Sequence, residues 1–542
     1  MKRNKFFLIL IFLLAFFLRV YQLGNLPRTF HEDEVLSGYV GSYLIRNGFD
    51  LYGNRWPLWY FNKFGDYYII GPIYLSGLST LVFGVNEFAT RFPHAFFGAL
   101  AVFPIFTLSM LIFKNTTISL FSSLFLAVTP WHIVLSRSTT EGIIGATFFL
   151  WGLTYLLKSK EDFSYKYLFS AFLFFLFGYW IYHPYRLYPP LAMTGFLIIF
   201  LKEIKKNKRF FALSFSLTLF FLIFSLSISR TFWGKGRFEQ TSIFSPISGV
   251  TIKLNELIAN EGQNNILITR IFHNKITGYT KEFINQYLSY FSFNYLFVDG
   301  WKKSRYFVPE QGLLYLIFLP LIFIALINLQ KPKIEKKMLL FLFFILLISV
   351  FPAAFTVVES PNPHRSLFLV IPLTILISFG FYQSFKIKIG KINFGWGLII
   401  ILIFEIIFFL HQYTKHSDYF SSLVRNDGQK EIADYVIKNE SKFDQIFLPA
   451  EAAMSWYYLF YKKDFNPLFS KKFKLDARIE KTGKISYIEN SCPTTIINPK
   501  NYLNKKILII DRPSCQSADK QYHFLKYLYG TNILLKYKVF TN

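Results

Sequence analysis

The chain has 542 residues, 53% of them hydrophobic and 20% aromatic, with a formal net charge of +27 and two cysteines. That apolar and aromatic content excludes an ordinary soluble multidomain protein and predicts a polytopic α-helical membrane protein. The charge alone would suit a nucleic-acid binder, but the basic residues fall in short clusters between apolar runs, the pattern of membrane topology, so no nucleic-acid partner is expected.

A helix crosses a bilayer with about 20 apolar residues. Eleven runs predict such helices: 6–22, 88–113, 117–135, 141–157, 166–183, 187–201, 210–229, 312–329, 338–357, 366–385 and 394–412. The first has the basic start and apolar middle of a signal peptide, but no small-x-small cleavage site follows, so it is read as a retained helix. Basic clusters at 2–5, Lys114, 158–166, 202–209, 331–337 and 386–391 share one side, which the positive-inside bias makes cytoplasmic. The N-terminus is then inside and the C-terminus outside. The outer segments are long at 23–87, at 230–311 and after about Tyr413. The expected division is a membrane domain, 1–414, followed by an extracytoplasmic α/β domain, 415–542.

The first outer segment opens on Phe30-His31-Glu32-Asp33-Glu34, three consecutive carboxylates just beyond the first helix. Such a triplet reads either as a solvated loop or helix N-cap, or as a site where carboxylates do chemistry. A second polar group, 62–67, carries Lys63 and Asp66. The run 69–83 is short and interrupted by glycine, which predicts a helix lying in the interface, with an extra crossing as the alternative. Three short outer loops each present an arginine: Arg137 near Glu141, Arg186 near His183, and Arg365 beside His364 and Glu359. Arginine is always charged and forked, which suits it to phosphate, although a single one also serves as an interfacial anchor. The segment 270–299 mixes aromatics with polar groups, as a sugar or isoprenoid surface would, or an interfacial belt.

After Lys415 hydropathy falls. Helices are expected at 429–438 and 450–461, and strands at 445–449, 484–489, 506–511 and 532–539. Cys492 and Cys515 both lie there, where a disulfide is permitted and a free pair is the alternative.

Outside the cytoplasm neither nucleotide sugars nor ATP are at hand, so an enzyme there needs a group already activated and carried across, as on a lipid-linked phosphosugar. It needs a carboxylate to take the proton of an acceptor hydroxyl, cations for the leaving phosphate, and an apolar groove for the lipid.

The order of a first membrane helix, an outer Asp33-Glu34, Gly71-Pro72-Ile73-Tyr74, Leu81-Val82-Phe83-Gly84-Val85-Asn86-Glu87 and Thr90-Arg91-Phe92-Pro93 resembles the dolichyl-phosphate-mannose protein mannosyltransferase and aminoarabinose lipid A transferase superfamily, with its GT-C fold. The resemblance covers about the first 200 residues, and more loosely Pro363-His364-Arg365-Ser366-Leu367 with Ile371-Pro372. The family's lysine-proline-proline is replaced by Ile70-Gly71-Pro72. The resemblance implies an inverting glycosyltransferase of the cell membrane. It would move a monosaccharide from a polyprenyl-phosphate donor to a hydroxyl of an extracytoplasmic protein, lipid or cell-envelope glycan. Asp33 would be the base, Glu34 and Glu32 would orient the acceptor, and Arg91, Arg186 or Arg365 would meet the phosphate. Lys63, Asp66, Arg137 and His364 complete the candidate substrate contacts. Some relatives bind a divalent cation, but no residues here have metal-ligand spacing, so none is expected to be required. A transporter or flippase for lipid-linked glycans, or a glycan-binding scaffold, is the rival. A transporter tends to show internal repeats and mid-membrane charges, whereas this chain shows no repeat and few such charges beyond Glu405.

Overall fold

Each of the eleven apolar runs folds as helix in the computed structural model, which describes residues 2–542 except 64, 262–265, 303, 331–333, 452, 467–478 and 517–521. Among the described residues six helices are long and apolar enough to cross a membrane: Glu87–Phe113, Glu141–Glu161, Lys208–Arg230, Lys336–Ala354, Leu367–Ser384 and Phe394–Lys415. Thr116–Val128 and Pro130–Ser136 make a seventh if counted as one span bent by 53°. The bend falls where Thr129 is extended and Pro130, lacking an N–H, starts the next helix. The other runs hold Lys2–Val20, Tyr165–Tyr179, Tyr188–Ile199 and Phe318–Asn328. This is a multi-pass membrane protein.

After the first helix the chain makes a short helix, Glu32–Val35, a π-turn, Leu36–Val40, and a helix, Gly41–Asn47. The predicted interfacial run forms the helix Gly71–Phe83. These last two helices cross at glycines, since a Cβ on Gly41 would stand 2.3 Å from the Ile73 carbonyl oxygen and one on Gly77 would stand 2.3 Å from that of Gly41. Between them runs a hairpin, β1 (Tyr60–Lys63) and β2 (Asp66–Ile69), in which Lys63 pairs with Asp66 and Phe61 with Tyr68. Phe64, in the predicted polar group, lies outside the described residues, as do 331–333 of one basic cluster.

A two-stranded pair, β3 (Lys388–Ile389) and β4 (Ile392–Asn393), precedes the last membrane helix. Beyond it stands a six-stranded mixed sheet made of β5 (Gln445–Pro449), β6 (Lys481–Thr482), β7 (Ile485–Ile488), β8 (Ile507–Asp511), β9 (His523–Tyr529) and β10 (Lys536–Thr541), in the order β6-β7-β5-β8-β10-β9. β5 is parallel to β7 and β8, while β10 is antiparallel to β8 and β9. β5, β7 and β8 fall where the hydrophobic runs predict them, β10 starts four residues later than the run 532–539 predicts, and β6 and β9 are additional. The predicted helices are Gln429–Asn439 and Met454–Lys462, and residue 452 of the second prediction lies outside the described residues. Cys492 and Cys515 are disulfide-bonded.

The membrane helices enclose one apolar core. A second core joins Phe30, Val35, Tyr39 and Ile73 of the first outer segment to Trp456, Tyr457, Phe460, Leu508 and Val539 of the C-terminal region. Packing the sheet-bearing region therefore buries the loop that carries the acidic triplet.

Candidate active site

The triplet forms the first turn of Glu32–Val35. His31 is its N-cap: the imidazole Nδ1 accepts the Asp33 N–H at 3.1 Å and the Glu34 carboxylate accepts the His31 N–H at 3.0 Å, a capping box. Because helix positions diverge by about 100° per residue, neighbouring carboxylates face different surroundings.

Asp33 faces a cavity of about 60 Å³, room for a few water-sized groups. Its Oδ1 accepts Lys63 Nζ at 2.6 Å and the Tyr68 hydroxyl at 2.8 Å, and its Oδ2 accepts the Arg305 guanidinium. The hairpin brings Lys63 and Tyr68, and the end of the second outer segment brings Arg305. Lys63 also donates to Glu32 at 2.9 Å. Burial pushes the Asp33 carboxyl up, but Lys63 and Arg305 outweigh it and hold the group well below the usual carboxylate range. Burial and Arg305 hold His31 well below its ordinary value, so its neutral Nδ1 also accepts from Arg305 at 2.9 Å. The cavity is lined as well by Thr139, Glu141, His183 and His364. His364 stands 3.8 Å from Glu141, and a Cβ on Gly142 would come within 2.8 Å of its ring, so this imidazole is closely packed.

Glu34 turns inward and is 3% exposed. Arg91 donates Nε to Oε1 at 2.8 Å and Nη2 to Oε2 at 3.0 Å, and Arg425 donates Nη2 to Oε2 at 2.7 Å. Burial raises this carboxyl, but Arg91 and Arg425 bring it down to about 2.

The other predicted contacts are placed elsewhere. Arg91 is fully buried, its remaining donors on the carbonyls of Leu23, Pro27 and Thr29. Arg137 is buried against the carbonyls of Leu18, Tyr21 and Leu26. Arg186 donates to the Gly234 carbonyl and to His183. Arg365 donates to Thr356 and Val358 of its own loop. None of the four lines the cavity. A buried guanidinium must find partners for five N–H groups, and backbone carbonyls satisfy that demand. Asp66 stands at the hairpin turn opposite Lys63. The sequence reading missed Arg305, Tyr68 and Arg425. For Arg305 a signal existed in the basic-aromatic run Trp301-Lys302-Lys303-Ser304-Arg305-Tyr306. Among the described residues no group of three or more His, Cys, Asp or Glu is placed to hold a metal ion.

Residues 70–228 match the profile of the family described as dolichyl-phosphate-mannose-protein mannosyltransferase. No curated protein matches the chain. Among solved structures, it is similar to the oligosaccharyltransferase AglB from Archaeoglobus fulgidus in complex with an inhibitory peptide and a dolichol-phosphate, with TM-score 0.51 and 11% identity over 86% of this chain. It spans 65% of that AglB chain. The apo form of the Archaeoglobus fulgidus oligosaccharyltransferase gives TM-score 0.51 at 12% identity, covering 94% of this chain and 69% of that one. ArnT from Cupriavidus metallidurans, bound to undecaprenyl phosphate, gives TM-score 0.51 at 9% identity, covering 98% of this chain and 97% of that one. Identities this low establish fold, and the fold is that of the GT-C superfamily.

Proposed function

We propose that the protein is an inverting glycosyltransferase that moves a monosaccharide from a polyprenyl-phosphate donor to a hydroxyl of an extracytoplasmic protein, lipid or envelope glycan. The observation that carries this reading is a partly exposed Asp33 carboxylate at a cavity, paired with Lys63 and Arg305, within a GT-C frame. The acceptor oxygen would attack the anomeric carbon while its proton passes to Asp33, and the bond from that carbon to the phosphate oxygen would break. Negative charge then moves from Asp33 to the departing polyprenyl phosphate. Arg305, which lines the cavity beside Asp33, loses an anion at the carboxylate as it gains one at the phosphate, so the same cation serves both ends of the reaction, with Lys63 buried behind the carboxylate. The dolichol-phosphate held by AglB and the undecaprenyl phosphate held by ArnT support a lipid phosphate as the donor's leaving group. Since Lys63 and Arg305 supply the positive charge, this reading requires no divalent cation.

The test is transfer by purified protein. Asp33→Asn is expected to lower turnover by about 10²-fold or more, the scale of general-base catalysis, with undecaprenyl phosphate binding retained, and a chelator is expected to leave the wild type active. Normal transfer by Asp33→Asn would move the base elsewhere. A flippase or scaffold, needing no base, would keep its activity in that variant.

In this reading the cavity and the C-terminal region lie outside the cytoplasm, which the positive-inside bias of the six basic clusters supports. A reporter fused after Asn542 should be active only in its extracytoplasmic form, and cytoplasmic activity would invert the topology.

A further inference from the structure

Arg425 follows the last membrane helix, at the end of the turn Ser422–Arg425, and is 2% exposed. Its guanidinium joins three stretches that are remote in sequence. Nη2 donates to the Glu34 carboxylate at 2.7 Å and to the Thr29 carbonyl at 3.2 Å, and Nε donates to the Thr29 hydroxyl at 3.0 Å. Nη1 donates to the backbone carbonyl of Arg305 at 3.2 Å. The next residue, Asn426, is left-handed at φ 58°, and its side-chain oxygen accepts the Glu32 N–H at 3.0 Å. Asp427 accepts the N–H groups of Thr531 and Asn532, in the connection between β9 and β10, at 2.8 and 2.9 Å. The three consecutive residues Arg425, Asn426 and Asp427 therefore tie the connection between β9 and β10 to the backbone on both sides of the Asp33–Arg305 contact.

We propose that Arg425 is a positioning residue for sugar transfer: it fixes the short helix bearing Asp33 and the backbone of Arg305 relative to each other, so that the C-terminal region sets the geometry of the site. This rests on the function proposed above. Arg425 touches neither the cavity nor the Asp33 carboxylate, and it acts through Glu34, Thr29 and the Arg305 carbonyl. A guanidinium is needed because one group must reach all three from a single planar fork, which an ammonium does not do.

Arg425→Ala is expected to lower kcat by roughly 10- to 100-fold, the scale of an ångström-sized misplacement, with a smaller loss of undecaprenyl phosphate binding. Arg425→Lys should recover part of the loss. If Arg425 acts through Arg305, the losses in Arg425→Ala and Arg305→Ala should not multiply in the double variant. Carbodiimide labelling of Asp33, read by mass spectrometry near pH 6, gives a readout independent of transfer and should rise severalfold in Arg425→Ala as the Arg305 contact loosens. Unchanged labelling, or losses that multiply, would overturn the proposal. Should Arg425→Ala not fold, Arg425→Lys carries the same measurements, and wild-type levels of both kcat and labelling in it would count against the proposal. A wild type that transfers no sugar would sink the functional reading instead, while labelling would still decide the positioning role.

Discussion

Asp33 and Glu34 are adjacent in sequence and each meets two cations, yet they occupy opposite kinds of place. The surroundings of Asp33 are open: the side chain is 15% exposed, a cavity lies beside it, and its partners Lys63 and Arg305 come from a hairpin and a loop. The surroundings of Glu34 are sealed: the side chain is 3% exposed, and its partners Arg91 and Arg425 are themselves buried and tied to backbone carbonyls. A turn of about 100° per residue is enough to separate them. On the proposed function, local charge pairing therefore does not mark the reacting group. Access does, because a carboxylate with no path to a substrate can only hold the fold together.

The substitution pair Asp33→Asn and Glu34→Gln tests this contrast most severely. Asp33→Asn should remove turnover by about 10²-fold or more and lower the melting temperature at pH 7 less than Glu34→Gln does, since Lys63 keeps Glu32 and Arg305 keeps a hydrogen bond to His31. Glu34→Gln should do the reverse in kind. Two buried guanidinium groups lose their counter-ion, which costs on the order of 3–5 kcal/mol, so the protein in detergent should melt well below the wild type. Equal melting temperatures with equal turnover losses would erase the distinction.

Acid sharpens the same comparison with a smaller effect. The folded-state value of Glu34, about 2, lies below its ordinary 4.5. The stability it contributes is therefore full above pH 4.5 and is lost as pH falls from 4.5 towards 2. The shift is worth roughly 3 kcal/mol. Asp33 is depressed as well and contributes in the same direction. Melting curves between pH 7 and pH 3 should show a fall in the wild type that is narrower in Glu34→Gln, which starts from lower stability. An unchanged acid dependence in that variant would show that Glu34 is not held ionised.

Much of this was legible in the chain. Apolar runs gave the helices because a bilayer imposes one length and one composition, and the triplet at Glu32, Asp33 and Glu34 was conspicuous because three acids meet at a helix start. The partners were not legible. Lys63 could be named, but its pairing with Asp33 depends on a hairpin whose register no local pattern fixes. Arg305 and Arg425 reach the triplet across about 270 and 390 residues, distances at which sequence periodicity carries no information. Strand β9 escaped for a local reason: all but one of its seven residues are exposed, so it lacks the alternation that marks a half-buried strand. The proline-framed loop around Arg365 is the opposite case: its arginine stands in a conspicuous motif but does not line the cavity, whereas Arg305 lines it from a plain loop.

Arg365 accordingly gives the smallest expected effect and completes the contrast between open and sealed groups. Its Nη1 donates to the Thr356 hydroxyl at 3.1 Å and to the Val358 carbonyl, so the guanidinium braces its own loop and does not line the cavity that Asp33 and Arg305 share. Two hydrogen bonds from a charged donor, only partly buried, are worth on the order of 1.5–3 kcal/mol each at most, and their loss should loosen the loop that also carries His364. Arg365→Ala should then change turnover by only a few fold, whereas Arg305→Ala, which removes a cation facing Asp33, should lower it by about the factor of 10² that a preorganised charge contributes. Arg365→Lys should behave like the wild type, since a lone ammonium still reaches one loop oxygen. The comparison is a steady-state one, with donor concentration varied for all three variants. A loss of tenfold or more in Arg365→Ala, carried by a raised KM for the donor and only partly recovered by Arg365→Lys, would put Arg365 at the donor phosphate after all and require its loop to turn towards the cavity when donor binds.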